Sequence, residues 1–237
     1  MNNIEKLQED GPLIKNKRYV IKRDKEKFED ELLLIKESEL KIYVNNEKTF
    51  SMSCINDDID KLTVGKIYIS YDTQKVKNIK TDKEECSVYV DISTESTKRN
   101  LEYKDRQYSV ENVFKLADRF KEGMELHRQT YMTHCCIVMY RDEIVYLSED
   151  INRYNVLYKA VGFMVMNNID PYDCIIYFSG RVDDKVIKLA NKAHIGVFVS
   201  KSSVTANAAK YARNKNMTLI CSARPDSICV YSGSIPE

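Results

Sequence analysis

The sequence predicts an α/β chain, with a parallel sheet in its C-terminal part and a smaller β-rich segment before it. Two observations carry this. In the last third, the short apolar runs CIIYFS, VFVS and TLIC are separated by the helix-length segments KVIKLANKAH and ANAAKYARNK. Strands alternating with helices of that length build parallel β–α units. Much earlier, ELKIYVNNEKTFSMSC alternates apolar and polar positions on both sides of Asn45-Asn46, the pattern of a hairpin.

The elements follow in order. Residues 1–36 are highly charged and read as a solvated, partly mobile lead-in, with an anion-binding arm as the functional alternative. In the hairpin, Ile42 and Val44 alternate before the turn, and Phe50 and Met52 resume the period after it. Asp57 or Asp58 opens a short helix. CSVYVDI, residues 86–92, is a strand. STESTKRNLEYKDRQ, residues 93–107, is polar and aperiodic, so it predicts an exposed loop or a boundary. SVENVFKLADRFKEGMELHRQT predicts one amphipathic helix capped by Ser109, with Val110, Val113, Phe114, Ala117 and Phe120 on one stripe. HCCIVMYRDEIVYL reads as two strands joined at 141–143. A helix then turns Val156, Leu157, Ala160, Val161 and Met164 inward. The expected divisions are 1–36 (lead-in), 37–98 (β-rich) and 99–237 (α/β).

Composition excludes several classes. The 237 residues carry 37 basic and 36 acidic side chains, a balance with no global pull toward nucleic acid or membrane. No run reaches the roughly 18 apolar residues of a membrane span, and MNNIEKLQED is not a secretory signal. Seven cysteines without framework spacing predict reduced thiols in the cytoplasm. His127, His134 and His194 are far apart and no C-x-x-C occurs, so neither zinc nor any other metal is expected.

In a parallel sheet the strand C-terminal ends share one edge, and ligands bind there. Three polar loops follow the last-third strands: Ser179, Gly180 and Arg181; then Ser200, Lys201, Ser202, Ser203 and Thr205; then Ser222, Ala223, Arg224, Pro225, Asp226 and Ser227. Two of these loops open helices, whose free N–H groups favour anions. Gly180 admits close backbone approach. Arg181 and Arg224 can fork onto phosphate or carboxylate oxygens. A phosphate-bearing ligand is predicted, although neither a P-loop nor a dinucleotide fingerprint is present. SEDINRYNVLYK, residues 148–159, leaves two readings open. Asp150 or Asn152 caps the next helix, or Asp150 and Arg153 stand at the rim of the same edge.

Taken together, these residues resemble the FdhD/NarQ family of formate dehydrogenase accessory sulfurtransferases. ESELKIYVNNEKTFSM is similar to its N-terminal strands, and SEDINRYNVLYKAVG to its E-D-V-G-R-H-N-A-x-D-K-x-x-G. SGR at 179–181 matches directly, SKSSVT at 200–205 is similar to S-x-S-A-P-T, and ARPDSICVY resembles the C-terminal segment. The likeness covers roughly residues 36–237. It implies a cytidine-deaminase-like α/β/α domain with a smaller β-rich N-terminal part. It also implies sulfur transfer, as a persulfide, from a cysteine desulfurase to the molybdenum cofactor of formate dehydrogenase. The edge loops would then contact molybdopterin guanine dinucleotide, with GDP as its mimic and Ser222–Ser227 as the nucleotide-facing loop. Glu149, Asp150, Arg153 and Asn155 match the acidic-Arg-Asn motif, and His134 matches the His of T-G-G-x-H. A homodimer is compatible with this reading.

The departures cluster where chemistry belongs. The family's C-G-x-C-G loop corresponds to ISTESTKRN, residues 92–100, which has no cysteine. A Ser96 or Thr97 hydroxyl cannot do the work of a thiolate. Tyr154 stands for the motif's His, Tyr158 for its Asp and Asn152 for its Gly, and Tyr-Met-Thr replaces Thr-Gly-Gly. Two readings follow. A working sulfurtransferase would have moved its carrier to Cys86, Cys135 or Cys136. A binding module would hold a guanine nucleotide or the dinucleotide cofactor without sulfur chemistry. A deaminase would need H-x-E and P-C-x-x-C, and DPYDC does not supply them.

Overall fold

Residues 11–71, 76–93 and 108–236 are described in the computed structural model. The loop predicted over 93–107 lies, beyond Ser93, outside them. The charged lead-in departs from expectation. Strands β1 (Leu13–Ile21) and β2 (Lys27–Ile35) pair antiparallel along their whole length. Charge explains the register: basic β1 residues face acidic β2 residues, and Arg18 stands opposite Asp30 in a 2.8 Å ion pair. Opposite charges across strands stabilise a pair.

Asn45 and Asn46 adopt left-handed φ values of 49° and 67°. They join β3 (Ser38–Val44) to β4 (Glu47–Cys54) in the predicted hairpin. Helix α1 (Ile59–Tyr71) follows, longer than the short helix expected. Strands β5 (Val76–Asp82) and β6 (Ser87–Ile92) complete a sheet of order β4-β3-β6-β5, with β6 parallel to β3. β5 escaped the sequence reading because VKNIKTD is an exposed edge strand with almost no apolar face.

The helix predicted from Ser109 is two helices, α2 (Val110–Gly123) and α3 (Glu125–Thr130). The cause is distant in sequence. The Glu149 carboxylate accepts hydrogen bonds from the backbone N–H groups of Leu126 and His127, each at 2.9 Å, and so starts a new helix. On α2 the buried residues are Val113, Leu116, Ala117 and Phe120; Val110 and Phe114 are only half-buried.

Strands β7 (His134–Tyr140) and β8 (Glu143–Asp150) meet through a turn in which Arg141 and Asp142 both have positive φ. Helix α4 (Arg153–Met166) buries all five of its predicted inward residues. Then come β9 (Cys174–Phe178), α5 (Asp184–Lys192), β10 (Val197–Ser200), α6 (Ala206–Asn214), β11 (Thr218–Arg224) and β12 (Ser227–Ser232). Their sheet has the order β12-β11-β10-β9-β7-β8, and β9, β10 and β11 are parallel as predicted.

Alternation along these strands feeds two cores. Cys135, Ile137, Ile175, Tyr177, Val199 and Ile220 pack toward α2. Cys136, Val138, Ile176, Phe178, Phe198 and Leu219 face the layer of α4, α5 and α6. The second core runs on through α1 to Leu40, Ile42, Val88 and Val90, so the N-terminal sheet shares it. Helices α1 and α4 meet backbone to backbone. A Cβ on Gly65 would lie 1.9 Å from the Tyr158 carbonyl oxygen, and one on Gly162 would lie 1.8 Å from that of Lys61.

Candidate functional site

The ends of the parallel strands do come together. Ser179 N donates to Cys135 O, Lys201 N to Phe178 O and Ser222 N to Ser202 O, at 2.9–3.0 Å. Val182 and Val204 tie the first two loops as a parallel bridge, with Val182 N donating to Ser203 O and Thr205 N to Val182 O. His134 opens β7 and Asp150 closes β8 at this same edge, where they are register partners.

Most of the edge hydroxyls are occupied by the fold. Ser200 Oγ donates to Gly180 O at 2.7 Å and accepts from Ser202 N at 3.0 Å. Ser202 Oγ donates to Ser179 O at 2.8 Å, and Ser179 Oγ accepts from Cys135 N at 2.9 Å. Thr205 caps α6 by accepting from Ala208 N. Gly180 is required by packing, since a Cβ there would meet the Phe178 ring at 2.6 Å. Ser203 and Ser227 are exposed, and Ser222 is half-buried on a left-handed φ of 51°.

These hydrogen-bonded loops divide the edge into two clefts. One, of about 940 Å³, holds Arg153, Ser179, Gly180, Arg181 and Ser202 together with His134. The other, of about 400 Å³, holds Lys201, Ala223, Arg224, Pro225 and Asp226. Sequence reasoning missed much of each lining. The first cleft takes Leu34 and Ile35 from the expected lead-in, and Glu37 from just beyond it. The second takes Phe120, His127 and Arg128, which carried no motif.

Both clefts are cationic. In the larger one Arg181 is exposed and makes no hydrogen bond or ion pair with a described residue. Arg153 instead binds Asp183 at 2.5 Å and the Tyr154 hydroxyl at 3.0 Å. Burial, with Arg153, His127 and Arg181 nearby, holds the His134 imidazole below its ordinary pKa. In the smaller cleft the Lys201 ammonium lies 4.9 Å from the centre of the Phe120 ring.

The rim position expected for Asp150 is corrected. Asp150 is fully buried. Its carboxylate binds Lys159 Nζ at 2.8 Å and accepts from Ile55 N, Asn152 N and Asn155 Nδ2 at 3.3, 3.2 and 2.9 Å. Asn155 Nδ2 also donates to Ser53 O at 2.8 Å. Asn152 caps α4 by accepting from Tyr154 N. The acidic-Arg-Asn stretch is therefore largely a staple between the end of β4 and the end of β8. Burial excludes water, which is why so many donors converge on one carboxylate.

All seven cysteines are described and carry free thiols; six are buried. Burial pushes the Cys86, Cys135 and Cys136 thiols up, and in Cys135 the neighbouring Cys136 adds to it. Cys54 and Cys86 lie in the same core, and burial with Cys86 nearby pushes the Cys54 thiol up. Among the described residues no three His, Cys, Asp or Glu side chains converge as a metal site. No helix among them is long and apolar enough to cross a membrane.

A model of the FdhD/NarQ family matches residues 92–235. The chain belongs to the FdhD/NarQ family. It is 23% identical to the sulfur carrier protein FdhD of Halalkalibacterium halodurans over 260 aligned residues, covering 96% of each protein. With the sulfur carrier protein FdhD of Listeria monocytogenes it is 30% identical over 127 residues, 54% of this chain and 49% of that protein. A crystal structure from Desulfotalea psychrophila, assigned as a formate dehydrogenase accessory protein, superposes with a TM-score of 0.83 at 17% identity. That likeness spans 93% of this chain and 97% of the other, and it shows that the two share a fold.

Proposed function

We propose that this FdhD/NarQ protein serves formate dehydrogenase maturation as a binding module. It holds a guanine nucleotide, or the guanine dinucleotide form of molybdopterin, on its strand-end edge, and it does not carry sulfur on the thiols nearest that edge. One observation carries this reading: two cationic clefts open on the edge, while Cys135 and Cys136 behind it are sealed in the core. The names of the relatives support the maturation role. Residues 92–100 supply no cysteine for a carrier loop.

The dinucleotide cofactor fits the donor set. Its diphosphate is anionic, and Arg181 and Arg224 present charged forks on either side of the Ser179–Ser202–Ser222 ridge. When bound, the cofactor supplies the metal–dithiolene chemistry. The chain's own residues bind and orient. Arg181 holds an anionic oxygen, Arg153 is fixed by Asp183 beside it, and neutral His134 is available as a hydrogen-bonding partner. Cysteine desulfurase and formate dehydrogenase are the partners this reading implies.

Calorimetric titration with GDP tests the binding. Incubation with a cysteine desulfurase and cysteine, followed by peptide mass spectrometry, tests the chemistry. GDP binding with no added sulfur on Cys86, Cys135 or Cys136 is the expected result. A persulfide on any of those three would instead support a relocated carrier.

A further inference from the structure

Cys221 in β11 and Cys229 in β12 are register partners in an antiparallel pair. Directly opposed residues of such a pair project to the same face, with Cα atoms roughly 4.5–5.5 Å apart. That falls within the roughly 4.4–6.8 Å window of disulfide-bonded cysteines. The face is the one toward α6, because Cys221 shares its core with Ala208 and Ala212, whereas Ile220 and Ala223 belong to the opposite core.

The two thiols differ in access. Cys221 is fully buried, and Cys229 is the one exposed cysteine of the seven. An exposed thiol set against a buried one has both an entry point and a resolving partner. The chain's other close thiols lack this. Cys54 and Cys86 are both buried, and Cys135 and Cys136 face opposite sides of the sheet.

The pair also sits at a mechanical position. Beyond Cys221 the register of β11 against β12 shifts, and Ser222 takes its left-handed φ in that irregularity. The hairpin tip past it carries Arg224, Pro225 and Asp226 into the smaller cleft.

We propose that Cys221 and Cys229 form a reversible thiol–disulfide pair, closed by exchange with a low-molecular-weight disulfide, which staples the base of the β11–β12 hairpin. The Cys229 thiolate attacks one sulfur of the small disulfide. That S–S bond breaks, one small thiolate leaves, and a mixed disulfide remains on Cys229. Cys221 then releases its proton to solvent, its sulfur attacks Cys229 Sγ, and the second small thiolate leaves. Two protein thiols are oxidised by two electrons, and one small disulfide is reduced to two thiols. Burial, with Cys229 beside it, pushes the Cys221 thiol up to about 12, so the closing step is the slow one and quickens as pH rises.

The effect on Arg224 rests on the ligand site proposed above; closure of the disulfide does not. The test treats the reduced full-length chain with oxidised glutathione in the absence of nucleotide. Free thiols are then alkylated and the chain is cut before Asp226. The expected product is a peptide pair linked through Cys221 and Cys229 and parted again by dithiothreitol. Cys221→Ser is expected to stop at the glutathione adduct on Cys229, and Cys229→Ser to take up no glutathione at either position. A wild-type protein that accumulates the Cys229 adduct without closing overturns the proposal, as does a linkage to any other cysteine. Loss of GDP binding alone would overturn only the ligand site.

Discussion

Replacing Lys159 with methionine shortens the unbranched side chain by one atom and deletes its charge. The ammonium is 1% exposed and binds the fully buried Asp150 carboxylate at 2.8 Å and Glu149 O at 3.2 Å. Removing one partner of a buried pair costs about 3–5 kcal/mol, because the other charge is left uncompensated. Three donors stay on Asp150, from Ile55, Asn152 and Asn155, so the lower end, about 3 kcal/mol, is expected here. In urea, with a slope of roughly 3 kcal/mol per molar, the midpoint drops by about 1 M. Adding Asp150→Asn to Lys159→Met removes the stranded charge and keeps a carbonyl oxygen for the Asn152 N–H and the Asn155 Nδ2 donor, which share Oδ1. The double variant is therefore expected to be more stable than Lys159→Met alone. A single variant within about 1 kcal/mol of wild type would refute the staple, and so would a double variant less stable than the single one.

Gly162→Ala drives a methyl group into the Lys61 carbonyl and forces α1 and α4 apart. It is expected to lower stability by at least the roughly 1–3 kcal/mol of an overpacked core, read from thermal or urea unfolding. Arg181→Ala and Arg224→Ala are each expected to weaken GDP binding by about 1.5–3 kcal/mol, the range for a charged hydrogen bond. Unchanged affinity by calorimetry in both would remove the edge as the site. His134 is held below its ordinary value in the folded state, so the unfolded chain takes up its proton first. Its share of stability is complete above the unfolded value of about 6.5 and falls as pH drops through it, levelling once the folded value is passed. His134→Gln is expected to flatten that slope in urea midpoints measured between about pH 7.5 and pH 5.5, and an unaltered slope would place the titration elsewhere.

Local rules made the strands and helices legible. Asn45-Asn46 announces its turn, and the apolar runs at 174–178, 197–200 and 218–221 announce their parallel strands. What stayed hidden depends on partners far away in sequence. The break between α2 and α3 is made by Glu149, and no window around Gly123 contains it. Asp150 resembled a rim carboxylate because the sequence does not show Lys159 folding back onto it from within α4, nor Ile55 arriving from just past β4. The convergence of three loops was foreseeable from strand direction. Their division into two clefts was not, because it follows from which serine hydroxyls the backbone occupies. The β1–β2 hairpin was missed because its cohesion comes from charge pairing across strands, which composition alone averages away.

The staple at Asp150 spans a long stretch of chain: 95 residues separate it from Ile55, and 102 separate Asn155 from Ser53. During synthesis the N-terminal sheet and α1, which packs on Leu40, Ile42, Val88 and Val90, emerge first, and α4, which packs against α1, emerges much later. A nascent chain thus shows the uncovered apolar face of α1 to the cell until α4 leaves the ribosome, and for that interval the face is open to misassociation.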